Sequence, residues 1–589
     1  MAMAVMVGVL SAWIGGCTPK QYAQQADKTG SAAVLDANRA ALGKPAGMDI
    51  TYRPLPWQPT TAPASGQNAA ATQPGTQAVK SASTQPTTRP VAIRIGNKLI
   101  PIGGEGAATL ITLAEAMDIG FRNSRDFQTQ KELLFTQGLA VANTRRAWTF
   151  PPVGGGANGA VSRTVGGYDH PSSNINGSVG PTLLESFVDG GQLLLGSGLN
   201  YASSMTGVNN TAVGSLLSAN FTQPLLQGAW RGLAYEPQYR AERDLLVAAY
   251  AYERYTQTFS VTVATSYYNV LQQRDQLENE QANIKQLKWV LALTSSLVEG
   301  GERPPLERDQ AEQNYLNAQV TYEGLLQSYS DQLDNFKLLL GLPITARMEL
   351  DPAEMKKLIA QGLRPMTLDE NAAIHVAKSA RPDVLTSRAT LRDADRNVEI
   401  AADKFNPQLD VVLCTSVTGQ PPRKWGVINS SDATRSAELT FNYSFDQTSN
   451  RDAYRNAIIA FEKARRDLDV FMDNVTLQVR TSYRALLQSR HTYEIQLKNV
   501  QIARRLQKLT TLQHQNGEVA ARDVLDAEEA LRNAEDGLTS ALISYTSTRL
   551  NFLVTLGLIN VDDKGRLHER DTPESFERIQ RIYPYLGGR

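Results

Sequence analysis

The sequence predicts a mainly α-helical chain with a small share of membrane β-structure. It is built as two tandem copies of a unit containing helices, a strand pair and a long coiled-coil hairpin. Three observations carry this. Leu531, Leu538, Tyr545 and Phe552 recur every seventh residue with Ala527, Ala534, Ala541 and Thr548 between them, the a/d seam of a helix packed along its whole length. Gly301, Tyr315, Tyr322, Tyr329, Phe336 and Gly341 stand 216 positions before Gly517, Leu531, Leu538, Tyr545, Phe552 and Gly557, with no gap between, so the hairpin occurs twice. Leu439, Phe441, Tyr443 and Phe445 alternate with Thr440, Asn442 and Ser444, which gives a strand one apolar and one polar face, as barrel strands in lipid have.

Composition narrows the partners. Among 589 residues, 59 Lys and Arg balance 59 Asp and Glu, so nothing favours nucleic acid. Two cysteines make no disulfide framework, and His170, His375, His491, His514 and His568 show no metal-ligand spacing. No cofactor or metal is expected. Beyond the N-terminus there is no run of 18 apolar residues, so membrane insertion has to come from strands.

In order along the chain, residues 1–17 (MAMAVMVGVLSAWIGGC) form a short apolar run ending in small residues, an export signal. Ile14-Gly15-Gly16-Cys17 resembles a bacterial lipobox, with Cys17 as the lipidation site. The start departs from that pattern in lacking Lys or Arg, and an ordinary signal peptide with an incidental cysteine is the alternative. Thr18 after the cysteine resembles lipoproteins sorted to the outer membrane. Residues 18–107 are read as a linker rich in Pro, Thr, Gln and Ala, most clearly from 54 to 90, too poor in apolar surface to fold.

Thr112-Leu113-x-Glu115 opens the first repeat, 108–342, with a capping-box pattern. Thr367-Leu368-x-Glu370 opens the second, 367–559, at an offset of 255 that also relates Phe150 to Phe405 and Pro152 to Pro407. The offset then drops to 216, so the first repeat holds 39 additional residues after Pro152. These are Gly-, Ser- and Asn-rich, a longer loop or an extra hairpin. Strands are expected over 192–203 and 216–225, and over 408–414 and 437–445. About four strands cannot close a barrel, and an open edge in lipid is too costly, whereas three chains would supply about twelve. Long helices are expected up to 299 and over 450–515, each about 100 Å at 1.5 Å per residue. Segments 343–366 and 560–589 follow the hairpins at equivalent places and are expected to form an equatorial belt.

The lipobox signal, the duplicated unit, Gln223-Pro224-Leu225-Leu226-Gln227-Gly228 before the long helix, and the tip Gly517-x5-Asp523-Val524-Leu525-Asp526-Ala527 together resemble the TolC family of outer-membrane efflux channels. The resemblance spans roughly 110–560. It implies a homotrimer with a 12-strand β-barrel in the outer membrane and a 12-helix α-barrel in the periplasm. Its partners would be a periplasmic adaptor protein and an inner-membrane pump, its activity passive conduction.

Asp523 and Asp526 share a helix face. By family position they would ring the periplasmic gate, although acids also favour any helix N-terminus. Gly301 and Gly517 would be adaptor-facing tips and turn-formers. The first repeat has Glu307 and Gln310 where the second has Asp523 and Asp526, so the hairpins should differ at the gate. Tyr315, Tyr322 and Tyr329 are read as seam packing, Cys414 as a small packed side chain and His514 as an exposed helix-end residue. Gly154-x-Gly156-x-x-Gly159 is read as Gly-rich loop because no helix follows it. The sequence assembles no nucleophile, base or metal set for an enzyme. The competing reading is an acylated coiled-coil envelope protein or the adaptor itself. The exported substrate stays open.

Overall fold

The computed structural model describes residues 19–42, 91–95, 98–102, 108–149, 153–164, 172–204, 211–301, 303–366, 368–418, 433–516, 518–562 and 565–569. Cys17 and Gly517 lie outside the described residues. The chain divides into two compact units, one of residues 1–49, 132–251 and 383–473, the other of 50–131, 252–382 and 474–589.

The chain begins with α1 (Pro19–Leu42), the hairpin β1 (Val91–Ile95) and β2 (Lys98–Ile102), β3 (Thr109–Ile111), α2 (Leu113–Asn123) and α3 (Arg125–Thr149). Four strands follow, β4 (Val153–Thr164), β5 (Ser172–Ser186), β6 (Gln192–Ser204) and β7 (Thr211–Pro224). A single turn α4 (Arg231–Ala234) leads into α5 (Glu236–Glu299), which returns as α6 (Pro305–Leu339). After β8 (Met348–Leu350) and α7 (Ala353–Gln361), the second repeat runs α8 (Glu370–Ala380), α9 (Pro382–Asp403), β9 (Gln408–Thr418) and β10 (Ala433–Asn442). It ends with α10 (Thr448–Gln515), α11 (Ala521–Leu556), β11 (Ile559–Val561) and β12 (Leu567–Glu569).

The expected seam is the core of the second hairpin: Ala527, Ala534, Ala541, Tyr545 and Phe552 are buried, Phe552 completely. Alanine at alternate seam positions lets neighbouring helix backbones approach, while the aromatic rings near the C-terminal end fill the wider space. The 64 residues of α5 and 68 of α10 make helices of about 96 and 102 Å. Gly341 and Gly557 end α6 and α11 in the same way. Both have φ +74, and Leu342 and Leu558 each donate to a carbonyl five residues back, Lys337 and Leu553. This left-handed C-terminal cap suits glycine, which has no Cβ to clash.

Thr112 forms the expected capping box with Glu115. Its counterpart Thr367 lies outside the described residues; α8 starts at Glu370, after Asp369 with no side-chain cap bond, and the Glu370 carboxylate lies 2.8 Å from Arg480. The proposed linker is corrected in two places. Residues 19–42 are helical, with Val34 fully buried and Asp36 3.6 Å from Arg145 of α3, and β1 pairs with β2. The segments expected to form a belt supply β8, which pairs in parallel with β3, and the β11–β12 hairpin.

The expectation of about four strands also needs correction. Among the described residues one antiparallel sheet has six, in the order β10-β9-β7-β6-β5-β4. The glycine fingerprint at Gly154 lies on β4, not in a loop. Pro152 in the first repeat matches Pro407, and Gln192-Leu193 at the start of β6 matches Gln408-Leu409 at the start of β9 with the offset of 216. The 39 additional residues are therefore 153–191: β4, β5 and the turn after them.

Candidate channel-forming elements

Each ladder of the sheet pairs odd-numbered residues with odd-numbered ones, as in Val161 with Ile175, Leu199 with Ser215, Leu217 with Val417 and Leu439 with Val411. Side chains alternate along a strand, so the odd residues of all six strands share one face. Among residues with described side chains, that face carries Leu183, Leu195, Leu199, Leu217, Phe221, Leu413, Leu439 and Phe441, with Glu185 and Arg435 among them. The even face carries Ser218, Asn220, Ser416, Ser436, Glu438 and Thr440, interrupted by Leu184 and Leu194. On the apolar face Leu217, Leu413, Leu439 and Phe441 are 47%, 46%, 65% and 64% exposed. An exposed apolar surface of this kind marks an interaction surface. Cys414 lies on the even face, half-buried, with Sγ 3.4 Å from Asn220 Oδ1, a packed side chain as expected.

The β5–β6 turn is a built feature. Phe187 N–H donates to Gly191 O (2.7 Å), Gln223 Nε2 donates to Asp189 O (3.0 Å), and the Phe187 ring packs edge-on against Phe221. Among the described residues no helix is long and apolar enough to cross a membrane.

The hairpin tips form the second element. Val524 and Leu525 are buried with Leu287, Val290 and Ala318 of the first hairpin, and Tyr315 packs on the same cluster. This places Tyr315 in the packing, as the heptad reading required. Asp523 and Asp526, flanking that apolar pair, are both exposed. Asp523 Oδ2 accepts the Ala520 N–H at 3.2 Å, capping the start of α11. Asp526 lies 3.8 Å from Arg522. The helix-end role is thus visible for Asp523, and the carboxylates are three residues apart on an accessible face.

The first tip differs. Glu307 is mostly buried against Arg303, 3.6 Å away, and Gln310 is exposed. Arg303 Nη2 donates to the Val519 carbonyl of the second tip (3.1 Å), and His514 Nδ1 lies 3.1 Å from the same oxygen. His514 is 3% exposed, which corrects the exposed helix-end reading; a carbonyl partner requires its proton on Nδ1. Sequence reasoning missed this junction, because Arg303 and Val519 come together only when the hairpins pack. Gly301 has φ +76 with open space where a Cβ would stand, so backbone conformation alone selects glycine there.

Farther from the tips, α5 and α11 share a polar contact. Arg532 Nη1 pairs with the 2%-exposed Glu280 at 3.0 Å, Asn279 donates to Asp536 (2.8 Å) and Thr539 donates to Asp275 (2.8 Å). Burial pushes the Asp275 and Asp536 carboxyls above the usual range. The Thr539 and Asn279 hydrogen bonds pull the other way without reversing it. Among the described residues, no group of three His, Cys, Asp or Glu could hold a metal ion.

The family model for the outer membrane efflux protein matches residues 123–342 and 373–557. The chain belongs to this family. The match covers both hairpins and the whole sheet, and it makes the protein an outer-membrane efflux duct rather than an enzyme. Solved structures share the fold at low identity. The Campylobacter jejuni outer membrane channel CmeC is 14% identical with a TM-score of 0.56, over 80% of this chain and 89% of that one. VceC, an outer membrane protein of Vibrio cholerae, is 14% identical at 0.57, over 76% and 96%. The open-state outer membrane channel MtrE of Neisseria gonorrhoeae is 15% identical at 0.55, over 81% and 97%. No curated protein matches the chain.

Proposed function

We propose that this outer-membrane efflux protein is the exit duct of a tripartite efflux or type I secretion system. It works as a homotrimer that receives substrate from a periplasmic adaptor and an inner-membrane pump and conducts it passively outward. The observation that carries the reading is the sheet: one face mainly apolar and exposed, the other mainly polar, with β4 and β10 as its edges. Such a sheet is stable in lipid only when closed around a polar lumen. A periplasmic adaptor or an envelope tether has no use for it. The helices support the assembly as well, since Ile495, Ile502 and Leu509 recur every seventh residue on α10 and are 65%, 56% and 54% exposed. A seam of that kind is completed by a neighbouring copy's helix.

In this reading Cys17 carries the lipid anchor, and the segments after the hairpins girdle the helical barrel. Gly301 and Gly517 meet the adaptor. Asp523 and Asp526 from three chains ring the periplasmic gate, where six carboxylates attract cations and bind divalent ions. The test is planar-bilayer recording of the purified protein, with an unheated denaturing gel run in parallel. A heat-modifiable trimer that conducts is expected. The double variant Asp523→Asn, Asp526→Asn should lose cation preference and divalent block. Conduction with both properties unchanged removes the ring; a non-conducting monomer removes the duct.

A further inference from the structure

The insertion of residues 153–191 changes the barrel, and the register shows how. It does not fold aside. β4 pairs with β5 from Val153–Leu183 to Thr164–Ser172, and β5 pairs with β6 over nearly its whole length, skipping only Gly180 and Pro181. Pro181 has no N–H to give to the ladder, and the pairing resumes beyond it in the same register. The insertion therefore continues both faces of the sheet without a slip.

Three features bear on what lies beyond β4. First, the insertion adds two strands, an even number, so the edge strand keeps its direction. β4 leads away from the end of α3 and β10 returns toward α10, so the two edges are antiparallel when brought together around a ring. Second, their lengths match, at 12 and 10 residues. Third, neither edge is blunted: β4 and β10 contain no proline, and Arg163, Arg435 and Glu438 are their only charged residues. Unblunted edges invite pairing, and in an apolar band their free N–H and C=O groups have to be paired.

We propose that β4 of one copy pairs with β10 of the next, so that three copies close an 18-strand barrel instead of the family's 12. The contact is head-to-tail and closes into a ring. With 4.8 Å strand spacing and a tilt of about 40°, the backbone diameter grows from roughly 24 Å to roughly 36 Å. The insertion thus widens the outer-membrane pore about 1.5-fold in perimeter. This rests on the trimeric duct proposed above, and the occupant of each edge is a second copy of this chain.

Cryo-electron microscopy of the full-length protein in lipid nanodiscs decides it. Eighteen strands with β4 on the neighbour's β10 is the expected result. A trimer with 12 strands, in which β6 meets the neighbour's β10 and the hairpin stands outside, overturns the proposal and leaves the duct intact. A monomer without a closed barrel overturns both. Disulfide crosslinking gives an independent arm in a Cys414→Ser background. Ala437→Cys should link to a neighbouring chain's Ala157→Cys or Val161→Cys, and not to Leu195→Cys. The reverse pattern rejects the wider barrel. Deleting residues 153–191 should return a heat-modifiable trimer with two-thirds of the strands; a shortened trimer that keeps the full pore width counts against the proposal.

Discussion

The two repeats share a frame and differ in what each attaches to it. Both have a short helix, a second helix leading to a strand pair, a long helix and a return helix capped by a left-handed glycine. The first adds a strand hairpin before its pair. The second puts Val524 and Leu525 at its tip, where the first has the exposed Arg308 and Asp309. The consequence is a division of labour. Duplication supplies packing that any copy needs, whereas positions that contact the other repeat are free to diverge into complementary, rather than identical, partners. The α5–α11 contact shows this. Glu280 and Arg532 face each other, while their equivalents at the 216 offset are Gln496 and Leu316.

That asymmetry can be broken most strongly at Arg532. Arg532→Met leaves the buried Glu280 carboxylate with the Asn283 amide but without its counter-charge, which costs about 3 kcal/mol. Thermal unfolding followed by helical circular dichroism should show a clearly lowered midpoint, and Leu316→Met in the first repeat should leave it nearly unchanged. A smaller contrast lies in the glycine caps. Gly341→Ala and Gly557→Ala both force a left-handed residue, at about 1–2 kcal/mol each. A Cβ at Gly341 would also stand 2.1 Å from the Asn123 carbonyl oxygen, against 3.2 Å between Gly557 and that of Ala380. The first variant should therefore be the less stable, and equal midpoints would show that the end of α2 yields.

The smallest effect is on pH dependence. Burial raises the Asp275 and Asp536 carboxyls, so the folded state holds protons that the unfolded chain releases. Their contribution is fully present below the ordinary carboxylate range and is lost as pH rises through the raised values. Glu278, Glu535 and Glu280 add to this, and Arg532 opposes it at Asp536. Asp275→Asn keeps an acceptor for Thr539 and should flatten the midpoint-against-pH curve above the carboxylate range. An unaltered slope would place the titration elsewhere.

Much of the candidate site was legible because it is periodic. The heptads of α11 and the alternation at Leu439–Phe441 are local regularities that each map onto one element, and the 216-residue repeat maps onto two hairpins; Tyr443, Ser444 and Phe445, expected to belong to the strand, lie beyond β10, which ends at Asn442. Arg303 and Val519 are equivalent positions at the 216 offset, yet a repeat shows only that two positions correspond, so neither their contact nor that of His514 with the same carbonyl was legible. The insertion was read as loop or hairpin because Gly, Ser and Asn serve both. Only the paired register of β4 and β5 distinguishes a sheet extension from a loop.

By itself the sequence determined the duplicated helical hairpins and the presence of two-faced strands, because helix and strand periods are written in which residues are apolar. The tertiary structure alone decided the number of strands in the sheet and their order. A strand's own pattern states that it has two faces, while its neighbour is chosen by backbone hydrogen bonds, which any residue except proline can make.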